Sequence, residues 1–325
     1  MKRKTIISLT SFILGATMLT ACTSNASRVT FKDYWYEDAN VSTQAEEKLV
    51  YDITMEEGLR LESRGYTLSY SNGEYTTTLI GKNDGKYGNF EYYEYTTSLT
   101  IDVTFSMKNQ DPITKTDTTT STIIFKKSAL MQPIKMHKEI FNHAPTNSAG
   151  ATPETCYTEV NYTVDVEYNE TPTRGMATVV NRKTEKTTQH AFDTNQKKYT
   201  YIDNEQLLLA LRAINTSVTT APNFVVYAPF TKAVQTIKAT YETKVEGTVF
   251  NFKRNGVDFE DTITYYPVKI SIDAEMPGAT QTAWIAKTTK ADSNEHRNVL
   301  LRLRTPIGYN LGTLVYTLKS ADFSK

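Results

Sequence analysis

The chain has few sulfur and imidazole groups and no surplus of charge. Its 325 residues include only 2 Cys, 2 Trp and 4 His, and 36 basic side chains stand against 36 acidic ones. Two cysteines exclude a disulfide-stapled scaffold. Four histidines leave too few donors for an ordinary zinc site, so no metal is expected. A formal charge of zero removes any global attraction for nucleic acid, and no nucleic-acid partner is expected. Gly and Pro are also scarce, at 14 and 10, which excludes a collagen-like or low-complexity chain. There is no Gly-x-Ser-x-Gly elbow, no phosphate loop with its Lys and Ser/Thr, no His-Glu-x-x-His and no EF-hand loop. Residues 81–86 share only their glycines with a phosphate loop and read as a hairpin turn. His137 and His143, six apart on a strand, stand some ~20 Å from each other, too far to share one metal. No cofactor and no catalytic residue is assigned, and the chain reads as a non-enzyme.

What is abundant points to sheet. There are 21 Tyr, and roughly one residue in six is Thr. Aromatic and β-branched side chains suit a pleated, half-buried surface.

The N-terminus reads as an export signal. Lys2, Arg3 and Lys4 precede an apolar stretch from Ile6 to Leu19, which is shorter than the ~20 residues of a spanning helix. Leu19-Thr20-Ala21-Cys22 resembles a bacterial lipobox. That resemblance implies cleavage before Cys22 and a diacylglyceryl group on its sulfur, with fatty acids such as palmitate holding the protein to a membrane outside the cytoplasm. Losing three of the 36 basic residues gives a mature charge near −3. Residues 1–21 are then signal, 22–41 a tether whose cluster Tyr34-Trp35-Tyr36 docks on the domain, and 42–325 one β-rich domain. With Cys22 modified, Cys156 has no intramolecular partner and reads as a buried thiol.

Within the domain, Thr43 with Glu46 fits a capping box, and Ala45, Leu49 and Ile53 recur every four residues, which predicts a first helix ending at Gly58. From there the period is two. Leu99, Ile101, Val103 and Phe105 alternate with Ser98, Thr100, Asp102 and Thr104, and residues 159–168 alternate in the same way. Asn109-Gln110-Asp111-Pro112 and Asn255-Gly256 are hairpin turns. Tyr93 and Tyr95 fall on the side of Leu99, while Tyr92 faces the other way and is a candidate for stacking on a sugar or partner. Carboxylates and Thr fall on the wet face. A second helix begins at Asp203 or Asn204, with Leu207, Leu211 and Ile214 on one stripe. Residues 142–154 read as an exposed crossover. The fold class is mainly β (β-rich α+β): a large curved antiparallel sheet or open half-barrel, with one or two helices in its concave face.

Residues 203–214, then Trp284, His296-Arg297, Leu300 to Leu303 and Gly312 with Leu314, together with Ser128 to Pro133, resemble an exported bacterial family whose fold is like the lipoprotein carriers of the LolA and LprG type. The resemblance implies an apolar cavity between sheet and helix, lined by Leu207, Leu211, Ile214 and Trp284, that holds a lipid or other amphiphile. The alternative is a structural lipoprotein that meets an envelope protein or glycan through its exposed sheet face.

Overall fold

The computed structural model describes residues 29–31, 46–56, 66–146, 152–170, 173–194, 200–272, 280–287, 298–307 and 312–323. In chain order its strands are β1 (Glu46–Glu56), β2 (Tyr66–Lys82), β3 (Tyr92–Met107), β4 (Ile113–Lys126), β5 (Pro133–Pro145), β6 (Tyr157–Tyr168), β7 (Arg174–Asn181), β8 (Lys186–Asp193) and β9 (Thr200–Tyr201). After helix α1 (Leu207–Ala213) come β10 (Asn223–Ala228), β11 (Ala233–Tyr241), β12 (Val245–Arg254), β13 (Val257–Ile272), β14 (Gln281–Ala286), β15 (Leu300–Ile307) and β16 (Gly312–Phe323). The chain is mainly β, with one α-helix among the described residues.

All sixteen strands belong to one sheet. It runs β8-β7-β6-β5-β4-β3-β2-β1-β16-β15-β14-β13-β11-β10-β9, and nearly every neighbour pair is antiparallel. Strands β2 and β3 extend over 17 and 16 residues, long enough for right-handed twist to roll the sheet up. The two ends of the order meet through side chains. Phe192 of β8 stacks on Tyr227 of β10 with ring centroids 4.2 Å apart and planes 12° from parallel. Tyr168 of β6 meets Tyr201 of β9 edge-on at 5.9 Å. The barrel is therefore closed along this seam by aromatic packing, and no backbone ladder joins β8 to β10 among the described residues. At the other side the β12–β13 hairpin curls back until Lys253 and Arg254 pair with Ser320 and Ala321 of β16. Its turn has Asn255 and Gly256 both at positive φ, as the sequence predicts for a two-residue hairpin loop.

Alternation decides the core. Along β3, Leu99, Ile101, Val103 and Phe105 are at most 2% exposed, while their neighbours are half-buried or exposed. Each buried Leu, Ile or Phe contributes about 1.5–3 kcal/mol of transfer free energy. Thr departs from its expected wet role. Thr77, Thr97, Ser121 and Lys138 lie opposite one another across β2 to β5, and all four side chains are buried inside the barrel.

Three further expectations are corrected. The first predicted helix is strand β1: Glu47, Leu49, Tyr51 and Ile53 are all buried and their neighbours are not. A spacing of four satisfies a strand as well as a helix, and the β-formers Val50, Tyr51, Ile53 and Thr54 favour the strand. Residues 142–145 are the end of β5, with Asn142 fully buried, so the crossover is shorter than its Pro, Asn and Ser content suggests. Within the predicted tether, Val29 and Phe31 are buried against the domain. Residues 34–36, 43–45 and 58 lie outside the described residues.

Candidate functional site

The segment 203–214 lies in the concave space of the barrel, its apolar side chains buried. Asp203 is extended and accepts the Glu205 N–H, capping a 3-10 turn (Asn204–Gln206) that leads into α1. Leu207, Leu209, Ala210, Leu211 and Ala213 of α1 are at most 1% exposed. A seven-residue helix has little stability of its own, so packing holds it.

The polar groups of residues 203–214 are tied to four strands and to two loop positions, Met131 and Asn298. Glu205 pairs with Lys138 of β5 at 2.7 Å, both nearly buried. The Gln206 side-chain amide donates to the Met131 carbonyl at 2.8 Å. The Tyr168 hydroxyl donates to the Asp203 carboxylate, and Tyr241 donates to the Leu211 carbonyl. Arg212 makes a bidentate pair with Glu47 of β1, both N–O distances 2.7 Å, at 2% and 1% side-chain exposure. The remaining Arg212 Nε donates to the Asn298 carbonyl at 3.2 Å, and the Asn298 amide returns a bond to the Arg212 carbonyl at 2.8 Å.

This environment shifts the buried groups. Burial raises Asp203 to about 6, against the opposing Tyr168 hydrogen bond. Burial works against the Arg212 charge, and the Glu47 carboxylate more than reverses that effect, so the guanidinium is held above its ordinary range. Burial pushes Tyr95 up to about 12, and Tyr51 rises for the same reason. The Tyr51 and Tyr95 hydroxyls are thus held protonated beside the fixed Glu47–Arg212 ion pair.

The four residues expected to line a cavity do not converge. Leu207, Leu211 and Ile214 are together at the helix and buried, as their stripe predicts. Leu211 and Ile214 border a void of about 10 Å³, with Arg212, Tyr241, Tyr266 and Ile285 among its walls. That is room for about one water molecule and no acyl chain. Trp284 is elsewhere: on β14 the buried residues are Ala283 and Ile285, and Trp284 points to the other face, beneath the Arg302 guanidinium at 5.4 Å. Period-two alternation within residues 281–286 already separates Trp284 from the core side. Cys22 lies outside the described residues.

Other singled-out residues are placed as follows. Tyr92 is 1% exposed, its hydroxyl bonded to Asp84 and its ring edge-on to Tyr87, so it is not a stacking platform. Cys156 is buried, and burial raises its thiol pKa. His137 bonds Asp165 at 2.8 Å on the exterior. His143 bonds Asp117 through both its backbone N–H and its ring Nδ1, each at 2.8 Å. The Asp117 carboxylate, raised by burial and opposed by those bonds, stands in for a strand carbonyl where the β4–β5 ladder stops at Phe141. Sequence reading has no signal for this contact or for Glu47–Arg212, because neither involves a local spacing.

The exterior carries an ordered polar row. Lys48, Thr78, Thr96, Thr122, His137, Asp165, Thr178 and Gln189 lie opposite one another across β1 to β8. Hydroxyls pair across it, as between Thr96 and Thr122 at 3.4 Å, and adjacent strands space the row at about 4.8 Å.

No protein-family model matches the chain, and no curated protein does. Among solved structures, it is similar to the crystal structure of a β-barrel-like protein of domain of unknown function DUF1849 from Brucella abortus. The two are 10% identical with a TM-score of 0.48, over 87% of this chain and 99% of that one.

Proposed function

We propose that this is a non-enzymatic, membrane-anchored lipoprotein, held outside the cytoplasm by a lipid on Cys22, whose exposed sheet face meets an envelope protein or glycan. The observation that supports this best is the buried helical segment that occupies the barrel interior. The space a ligand would use holds the segment 203–214, fixed to β1, β5, β6 and β11 by hydrogen bonds and ion pairs, and the void beside Leu211 and Ile214 is about 10 Å³. The outer row presents hydroxyl, amide, imidazole, ammonium and carboxylate groups, and its regular spacing suits polar recognition. A second reading, a lipid or amphiphile held inside as in the lipoprotein carriers, is favoured by one feature. Among the described residues the β8–β10 seam is closed by side chains without a ladder, a line along which the barrel opens without breaking strand pairing.

Native mass spectrometry of the gently purified full chain, combined with cross-linking in cells, separates the two. The interaction reading expects a mass explained by the polypeptide and its N-terminal lipid, and cross-links from a probe placed at Thr122. An additional non-covalent acyl-sized mass, with no cross-link, would replace it with the carrier reading.

A further inference from the structure

We infer that the surface formed by residues 215–221, directly after α1, faces a phospholipid bilayer. The inference deepens the anchoring reading above and rests on it. It begins from the buried end of the N-terminal segment. The Val29 N–H donates to Thr200 Oγ1 at 2.9 Å, Phe31 forms a β-bridge with Ile214, and the Asn215 N–H donates to the Thr30 carbonyl at 2.9 Å. Val29 and Phe31 are 4% and 2% exposed. The chain therefore leaves the barrel at the C-terminal end of α1, where the 215–221 segment also emerges.

Reach then decides orientation. Val29 is the seventh residue after Cys22, and fully extended chain covers at most about 25 Å over that length. A compact chain of this size has a radius of gyration near 20 Å, hence a diameter of roughly 50 Å. The tether is about half that diameter, too short to let the barrel turn its opposite pole to the membrane. The surface it presents is suited to headgroups. No Asp, Glu, Lys or Arg occurs from Ala213 to Thr231, so contact strips water from no charge of the segment itself; Lys287, which lines a void with Thr216, and Glu242, next to the Tyr241 that bonds the Thr220 carbonyl, stand at its border. Val218 stands 68% exposed on a turn closed by the Val218 and Thr219 N–H groups on the Asn215 carbonyl. A protruding apolar residue among Thr and Ser enters a headgroup layer at little cost.

The test uses the full, lipidated chain on vesicles of phosphatidylcholine and phosphatidylglycerol that carry a nitroxide on some headgroups. Cys156 is buried and stays in place. A bimane fluorophore goes on V218C in one sample and on N109C in another. Tyr95 is level with Glu47 across the sheet, and Asn109 follows the far end of β3, roughly 40 Å from Tyr95 along the strand. Quenching several-fold stronger at residue 218 than at 109 is the expected result. A Gly/Ser insert of about twenty residues after Ser24, adding some 25 Å of reach, should shrink that difference. Equal quenching at both sites, on chains that float with the vesicles and carry the N-terminal lipid by mass, overturns the orientation and leaves the anchor standing. A chain that carries no lipid and does not float overturns the anchor and this inference together.

Discussion

Glu47 and Arg212 lie 165 residues apart in the chain and form a bidentate ion pair inside the barrel, both side chains almost wholly removed from water. The pair joins the first described strand of the sheet to the helix inside it. Two planar groups in this geometry accept only one arrangement, so the contact fixes how α1 sits against β1.

Breaking that pair on one side should therefore be costly. Arg212→Met leaves the Glu47 carboxylate buried without its partner, and a loss of about 3–5 kcal/mol is expected in urea unfolding. The double change Glu47→Leu with Arg212→Met removes both charges and should recover most of it. If the double variant is no more stable than the single one, the cost lies in packing and not in the stranded charge.

The pH dependence of stability follows from Asp203. Its folded pKa is raised by burial to about 6, above the 3.8 of an ordinary aspartate. The folded state thus holds the proton more tightly than the unfolded one. The stabilising contribution is complete below about pH 4 and is lost as the pH rises through 6. The shift corresponds to some ~3 kcal/mol. Asp203→Asn keeps an acceptor for the Glu205 N–H and the Tyr168 hydroxyl but cannot titrate. Unfolding midpoints from pH 4 to 7 should fall more steeply for the wild type than for this variant; parallel curves would remove Asp203 as the source.

The aromatic seam should be the weakest line of the barrel. Phe192→Ala removes the ring that stacks on Tyr227, with an expected loss of about 3–5 kcal/mol. Because β8 has a ladder on one side only among the described residues, amide exchange should accelerate in β7 and β8 while β2 and β3 stay protected. Uniform acceleration over all strands would mean that the seam is no separate unit.

Gly175 tests the same seam from beneath. A Cβ there would stand 2.3 Å from the Glu167 carbonyl oxygen and 2.6 Å from the Phe192 ring. Gly175→Ala should cost about 1–3 kcal/mol through overpacking, and near-ultraviolet circular dichroism should report the displaced ring. An unchanged spectrum and midpoint would contradict the close approach.

Legibility differed sharply between neighbouring features. The hairpin at Asn255-Gly256 was readable because a two-residue turn with both φ angles positive selects those residues. The Asp203 cap and the buried stripe of α1 were readable because capping and helical period are local. Strand β1 was misread because Leu49 and Ile53 fit either period, and nothing within the segment shows that β2 and β16 flank it. Tyr92 was misplaced because the nearby turn folds Asp84 and Tyr87 back over it.

The sequence by itself determined that the chain is mainly antiparallel sheet and where its apolar helix α1 lies, since alternation and capping act over a few residues. Tertiary structure alone decided that the sheet rolls until Phe192 reaches Tyr227, that Glu47 meets Arg212, and that Thr77 and Thr97 point inward. Those outcomes depend on accumulated twist over many strands and on which distant polar groups can satisfy one another out of water. Both are properties of the assembled barrel, and no segment of the chain carries them in its local pattern.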